Sequence, residues 1–283
     1  MLADSYAHCQ ALVHEADKER FLASLFAPAQ LRPHLFAVYA FNIEIARTRA
    51  VAREALPGEV RLQWWRDALT GIRPGEAAAH PVAGALLDTL ERRHVFVQPL
   101  VELIEARRFD LYGEPMATIA EFDSYARKTS SGLIATAAGI LGAGDDVVVI
   151  EAADAAGMAL AQCVLLNVVG AHAARRQLYL PREMLDRYGV RAEDIFAGQA
   201  GEPSAAMLAE LRARVRGHFL QFLERAGALP ATALPAFLPV TLVPQLLGRM
   251  ERRGYDPFET IEVAQWRRQL ALLRTAWLGF PAR

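Results

Sequence analysis

Apolar residues recur at three- and four-residue spacing along almost the whole chain, the period that turns one face of a helix toward a core. The segment 31–50, LRPHLFAVYAFNIEIARTRA, shows it most clearly, with Leu31, Leu35, Val38, Tyr39, Asn42, Ile43 and Ala46 in register. Pro28 and Pro33 lie near its start, where a helix tolerates proline. The same pattern predicts helices over 59–70, 82–93, 98–112 and 118–141. A long helix is expected from Asp145 or Asp146 to 173, a short helical turn after Pro181, and further helices over 204–227, 234–252 and 257–279. Asp145 and Asp146 have the short acceptor side chains that cap a helix start. The β-branched run 147–150 is flanked by alanine-rich sequence and reads as the beginning of that helix rather than a strand. Residues 71–81 form a Gly/Pro/Ala connection. There is no alternating strand pattern, fixed-period repeat or low-complexity linker, so residues 1–283 read as one all-α domain.

Composition narrows the function. The 283 residues are 53% hydrophobic and 22% charged, enough for a packed core. A formal net charge of −1 gives no basic field for nucleic acid. Cys9 and Cys163 make neither a metal-ligand spacing nor a disulfide framework, which points to a reduced compartment. The first twenty residues carry acids and no apolar core of a secretory signal. No uncharged apolar run is long enough to cross a membrane, and a cytoplasmic location is expected. The mean hydropathy of +0.13 is nevertheless high for a soluble chain and points to an apolar internal cavity or a membrane-facing surface.

Several segments, in order, resemble one family. FLASLFAP with RPHLFAVYAF, RLQWWRDAL, YARKTSSGLIATAAGILG, LYLPREML and LPVTLVPQLLGRMERRGYDPF are similar to successive helices of the squalene/phytoene synthases. The resemblance runs from about residue 5 to residue 280. It implies the all-α isoprenoid (terpenoid) synthase-like helical bundle with a central apolar cavity. It also implies two Asp-x-x-x-Asp motifs that hold magnesium and diphosphate. At the matching positions this chain has Ala46 and Ala50 on the first helix, and Val168 and His172 on the second. FNIEIA and AHAARR, in place of those motifs, resemble the branch that includes the mitochondrial complex I assembly factors and their bacterial relatives. That resemblance implies a role in maturing the respiratory NADH dehydrogenase, with a complex I subunit or assembly intermediate as partner.

Ionising an allylic diphosphate needs Mg²⁺ bridged to carboxylate oxygens, and two aspartates four apart share the required helix face. Methyl groups at Ala46 and Ala50 cannot ligate a metal, and Arg47 and Arg49 compete with one. Val168 offers nothing, and the imidazole of His172 suits softer metals. No cofactor is expected on this reading; Mg²⁺ belongs only to the alternative, an active head-to-head prenyl diphosphate transferase. A third reading is a prenyl-lipid binder.

The candidate pocket residues are Asn42, Glu44, Arg47, His172, Arg175, Arg176 and Tyr179. Glu44 at i−3 from Arg47 reads as an intrahelical pair, or a contact of Asn42, and otherwise as ligand-facing. On a continuing helix His172, Arg175 and Arg176 share a face, fit for clamping a phosphate or carboxylate; the bland reading is a solvated helix end. Tyr179 reads as a cavity wall. Arg127 and Lys128 read as solvent-facing. Trp64 and Trp65 are adjacent and cannot face the same way. Trp266, Leu270, Leu273 and Trp277 form one stripe with arginines nearby; packing against the domain is expected, and a peripheral contact with the inner face of a membrane is the alternative.

Overall fold

The computed structural model describes residues 2–52, 54–199 and 201–281, and among these no strand is found. The chain opens with α1 (Leu2–Ala16), α2 (Lys18–Ser24), α3 (Arg32–Ala46), α4 (Thr48–Val51) and α5 (Ala55–Leu69). A short α6 (Pro74–Ala79) lies within the segment read as a connection, followed by α7 (Pro81–Arg93) and α8 (Gln98–Arg107), which tightens into a 3-10 turn at Arg108–Leu111. Next come α9 (Ile119–Ala126), a π-helical segment Arg127–Ser131, α10 (Gly132–Ile140), α11 (Val147–Asn167) and α12 (Val169–Ala173). The remainder comprises α13 (Arg182–Tyr188), α14 (Ala192–Phe196), α15 (Glu202–Ala226), α16 (Leu234–Phe237), a 3-10 turn Leu238–Thr241, α17 (Leu242–Met250) and α18 (Gln265–Leu278).

Two helices organise the core. α3 buries residues on every side, from Leu35 through Ile43 and again at Ile45, and packs against α1 and α7. α11 runs along α15 and also meets α10, α17 and the π segment. By length and composition α11 is apolar enough to cross a membrane, but 61% of its most apolar window is buried inside the protein, as in a core helix. Asp146 caps it, accepting from the Val148 and Val149 amides at 2.8 and 3.4 Å.

The expected helix over 118–141 is interrupted at the π segment, where Thr129 donates to the Tyr125 carbonyl at 2.7 Å. α11 crosses this segment in backbone contact, since a Cβ built on Gly157 would lie 2.3 Å from Ser131 Cα. Only glycine permits that approach. The long helix expected to reach 173 breaks at Val168 (φ −114, ψ 21). A neighbouring loop explains the break. Asn167 holds both backbone groups of Ile261, accepting from its amide at 3.0 Å and donating to its carbonyl at 3.3 Å. The Phe258 carbonyl sits where a Cβ on Gly170 would be, 2.0 Å away.

Those same bonds delay α18. Backbone groups committed to α11 are not free for a helix, so the element expected over 257–279 begins only at Gln265. The helix expected over 234–252 divides at the 3-10 turn containing Pro239, which cannot donate to the helical ladder. The helix expected over 98–112 ends at Arg107, where the chain tightens and turns Asp110 inward.

Candidate functional site

A cavity of about 400 Å³ opens beside α2, α3, the π segment and the C-terminal half of α11. Part of its lining is apolar, built from Leu160, Val164, Leu165 and Val168 with Pro239 and Leu242. The rest of the lining is polar: Asp17, Glu19 and Arg20 come from the start of α2, Asn42 from α3, Arg107 from the end of α8, Tyr125, Thr129 and Ser130 from around the π segment, and His172 and Tyr179 from beyond α11. The cavity implied by the resemblance is therefore present, with hydrogen-bonding groups among its lining.

Beneath the polar lining lies a closed network. Buried Asp110 accepts from Tyr125 and Tyr179 at 2.8 Å each and from Arg107 at 3.1 Å. Arg107 also donates to the Tyr125 hydroxyl at 2.7 Å, and Gln177 donates to the Tyr179 hydroxyl and to the Asp110 carbonyl at 2.9 Å each. Burial opposes the charge on Arg107, but neighbouring Tyr125 and Asp110 outweigh it and hold its pKa above the usual arginine value. Burial and nearby Asp110 push both tyrosines well above the ordinary phenol range. Burial, then Arg175, presses His172 down to about 4, so its ring, 4.4 Å from that of Tyr179 between centroids, is neutral near pH 7.

The charges on the wall are matched. Asp17 pairs with Arg20 at 2.5 Å, Asp110 with Arg107, and Glu19 with Arg268 at 2.6 Å. What is unmatched is neutral or directional: Asn42 Oδ1, Ser130 Oγ and Arg107 Nε are buried without a hydrogen-bond partner. A wall so balanced has no excess positive charge to hold a diphosphate.

The metal that the resemblance implies does not fit the residues present. Ala46 closes α3 and Ala50 lies in α4; both are exposed methyls, and neither lines the cavity. Val168 and His172 do line it but supply no carboxylate. Among the described residues no group of three or more His, Cys, Asp and Glu side chains is placed to hold a metal ion.

The other predicted residues scatter. Glu44 pairs with Arg61 of α5 rather than with Arg47, and neither Glu44 nor Arg47 lines the cavity. The expected clamp is not assembled, because the helix ends at Ala173. Arg175 is exposed. Arg176 adopts a left-handed φ of 53°, donates to Glu193 at 2.7 Å and stacks 4.7 Å over Phe196. Only His172 of the three reaches the cavity, beside Asn42 and Tyr179. Arg127 pairs with Asp154 at 2.7 Å on the surface. Trp65 is buried, while Trp64 turns away and donates to Glu76 at 2.9 Å. Sequence reasoning missed Asp17, Arg20, Arg107, Asp110 and Gln177. Tyr125, Thr129 and Ser130 had a faint signal, as polar positions in the first half of the segment YARKTSSGLIATAAGILG.

A family model described as squalene/phytoene synthase matches residues 13–274. NADH dehydrogenase (ubiquinone) complex I, assembly factor 6 from Rattus norvegicus is 28% identical over 257 residues, 91% of this chain and 77% of that protein. A ligand-bound dehydrosqualene synthase superposes with a TM-score of 0.83 at 18% identity, covering 96% of this chain and 95% of the other. The squalene synthase HpnC from Alicyclobacillus acidocaldarius gives a TM-score of 0.79 at 25% identity, covering 91% and 97%.

Proposed function

This chain belongs to the squalene/phytoene synthase family, and from that premise we propose that it is a non-catalytic member that assists assembly of respiratory complex I. The observation that carries the proposal is the replacement of all four metal-motif positions by Ala46, Ala50, Val168 and His172 on a scaffold that keeps its cavity. The name of the Rattus norvegicus relative supports the assembly role, with a complex I subunit or assembly intermediate as the partner. The chain would act in the cytoplasm and need no metal, and a nucleic-acid partner is not part of the reading.

The alternative is an active prenyl diphosphate transferase. It needs several hard oxygen donors around Mg²⁺, and the described residues supply no such group. A second non-catalytic reading, a prenyl-lipid binder, is favoured by one observation: Asn42 Oδ1 and Ser130 Oγ are left without partners on residues that line a half-apolar cavity. With the wall charges already paired, an uncharged hydrogen-bonding head suits it better than a diphosphate.

Two measurements test the proposal together. Purified protein is assayed for Mg²⁺-dependent diphosphate release from farnesyl diphosphate beside an active squalene synthase, and rotenone-sensitive NADH oxidation is measured in membranes of a deletion strain. We expect no release, and loss of NADH oxidation that the wild-type gene restores. Sustained turnover would refute the non-catalytic reading; unchanged NADH oxidation in the deletion strain would refute the assembly role.

A further inference from the structure

α18 touches the rest of the protein along one narrow face. Leu272 and Thr275 are buried, Arg268 bonds Glu19 at 2.6 Å, and Phe280, just past the helix, meets Phe222 edge-on with 4.7 Å between ring centroids. The opposite face carries the stripe Trp266, Leu270, Leu273 and Trp277, at 61, 58, 47 and 83% exposure. Leu278 beside it is 74% exposed. The expected packing of this stripe against the domain is therefore corrected: the anchored face is occupied by Leu272 and Thr275, and the aromatic face points outward.

The charge on the helix is one-signed. Gln265–Leu278 contains Arg267, Arg268 and Arg274 and no acid. Arg268 is used by Glu19. Arg267 and Arg274, seven apart, share the flank of the stripe, and Arg267 lies 5.1 Å from the Trp266 ring centroid. Lys18, with Arg268 and Leu272, lines a crevice between α2 and α18.

We propose that this face docks on an anionic lipid bilayer, with the Trp–Leu stripe in the head-group region and Arg267 and Arg274 against lipid phosphates. An in-plane helix needs an apolar face with cationic flanks. Tryptophan near each end suits the interface, where an apolar ring meets a wet N–H. A second copy is the poorer occupant. A helix of 14 residues spans about 21 Å, a narrow strip for the ~800 Å² per partner that a specific interface buries. Self-pairing would also set arginine beside arginine with no acid on the helix to answer it. The proposal does not depend on the assembly role and stands or falls separately.

The test is co-sedimentation of the full chain with phosphatidylcholine vesicles, with and without phosphatidylglycerol, beside Trp266→Ser/Trp277→Ser and Arg267→Gln/Arg274→Gln. Thermal melts establish that each variant is folded, and analytical ultracentrifugation reports its mass. We expect binding to anionic vesicles to exceed that to neutral ones, to fall with salt, and to drop about tenfold or more in the arginine variant. The tryptophan variant is expected to lose binding on both. Failure of the folded wild type to bind anionic vesicles overturns the proposal. So does equal binding by the tryptophan variant, or a wild-type dimer that this variant dissociates without any vesicle binding.

Discussion

The hydroxyl of Tyr179 donates to Oδ1 of Asp110 across 2.8 Å, joining the segment beyond α12 to the turn that ends α8. Tyr125 shares that acceptor, and Arg107 holds the other carboxylate oxygen. Removing the acid strands a half-buried guanidinium and two buried phenols, whereas removing one phenol oxygen costs one bond among several. Asp110→Ala is expected to lower unfolding stability by about 3–5 kcal/mol and Tyr179→Phe by about 1 kcal/mol. Urea denaturation checks both, and equal losses would sink the hub assignment.

A pH effect follows at His172. Its pKa is about 4 in the folded chain, lowered by burial and then by Arg175 and Arg107, against the pull of Asp110. The ordinary value is about 6.5. Between these values the unfolded chain binds a proton that the folded chain does not, so stability is complete above pH ~6.5 and declines as pH falls toward 4. Burial lowers His34, His80 and His218 as well, so the wild-type decline is composite. The Tm of the wild type is expected to fall more steeply from neutral pH to pH 4 than that of His172→Gln; parallel curves would contradict this.

Adjacent serines should behave oppositely. Ser130 Oγ is buried with no partner, while Ser131 Oγ donates to the Asp154 carbonyl at 2.9 Å. Ser130→Ala is expected to leave Tm unchanged or raise it, and Ser131→Ala to cost about 1 kcal/mol. Differential scanning calorimetry of both variants decides, and a larger loss at Ser130 would mean that its hydroxyl is satisfied.

A pair of glycines offers a sharper contrast. An added Cβ at Gly157 meets Ser131 backbone at 2.3 Å, whereas at Gly217, inside α15, nothing lies within 4 Å. Gly157→Ala must push α11 off the π segment and is expected to cost about 1–3 kcal/mol or more. Gly217→Ala is expected to stabilise by about 0.4–1 kcal/mol. Chemical denaturation reads both signs; stabilisation at Gly157 would mean that the crossing is looser than described.

How far the sequence revealed this depends on the range of the cause. The Asp146 cap and the core face of α3 are local or periodic, and both were legible. The break at Val168 was not, because it is made by Ile261 and Phe258, almost a hundred positions away along the chain. That break also dissolved the His172, Arg175 and Arg176 clamp, which presumed a continuing helix. The pocket itself was half visible. Asn42, His172 and Tyr179 were found on the segments that carry the family resemblance. Arg20, Arg107 and Asp110 look like ordinary surface charges until distant elements close over them. The α18 stripe was seen, but periodicity gives the phase of a face and not which way it points.

Ala46 closes α3, Ala50 lies in α4, Val168 marks a helix break and His172 lies in α12. A carboxylate restored at any one of them gains nothing, because Mg²⁺ is held by several oxygens together. A substitution to Asp at one position alone therefore brings an unpaired acid without a metal. On the non-catalytic reading proposed above, the four positions act as a block that no single step rebuilds, which leaves the cavity and the outward face of α18 open to selection for another purpose.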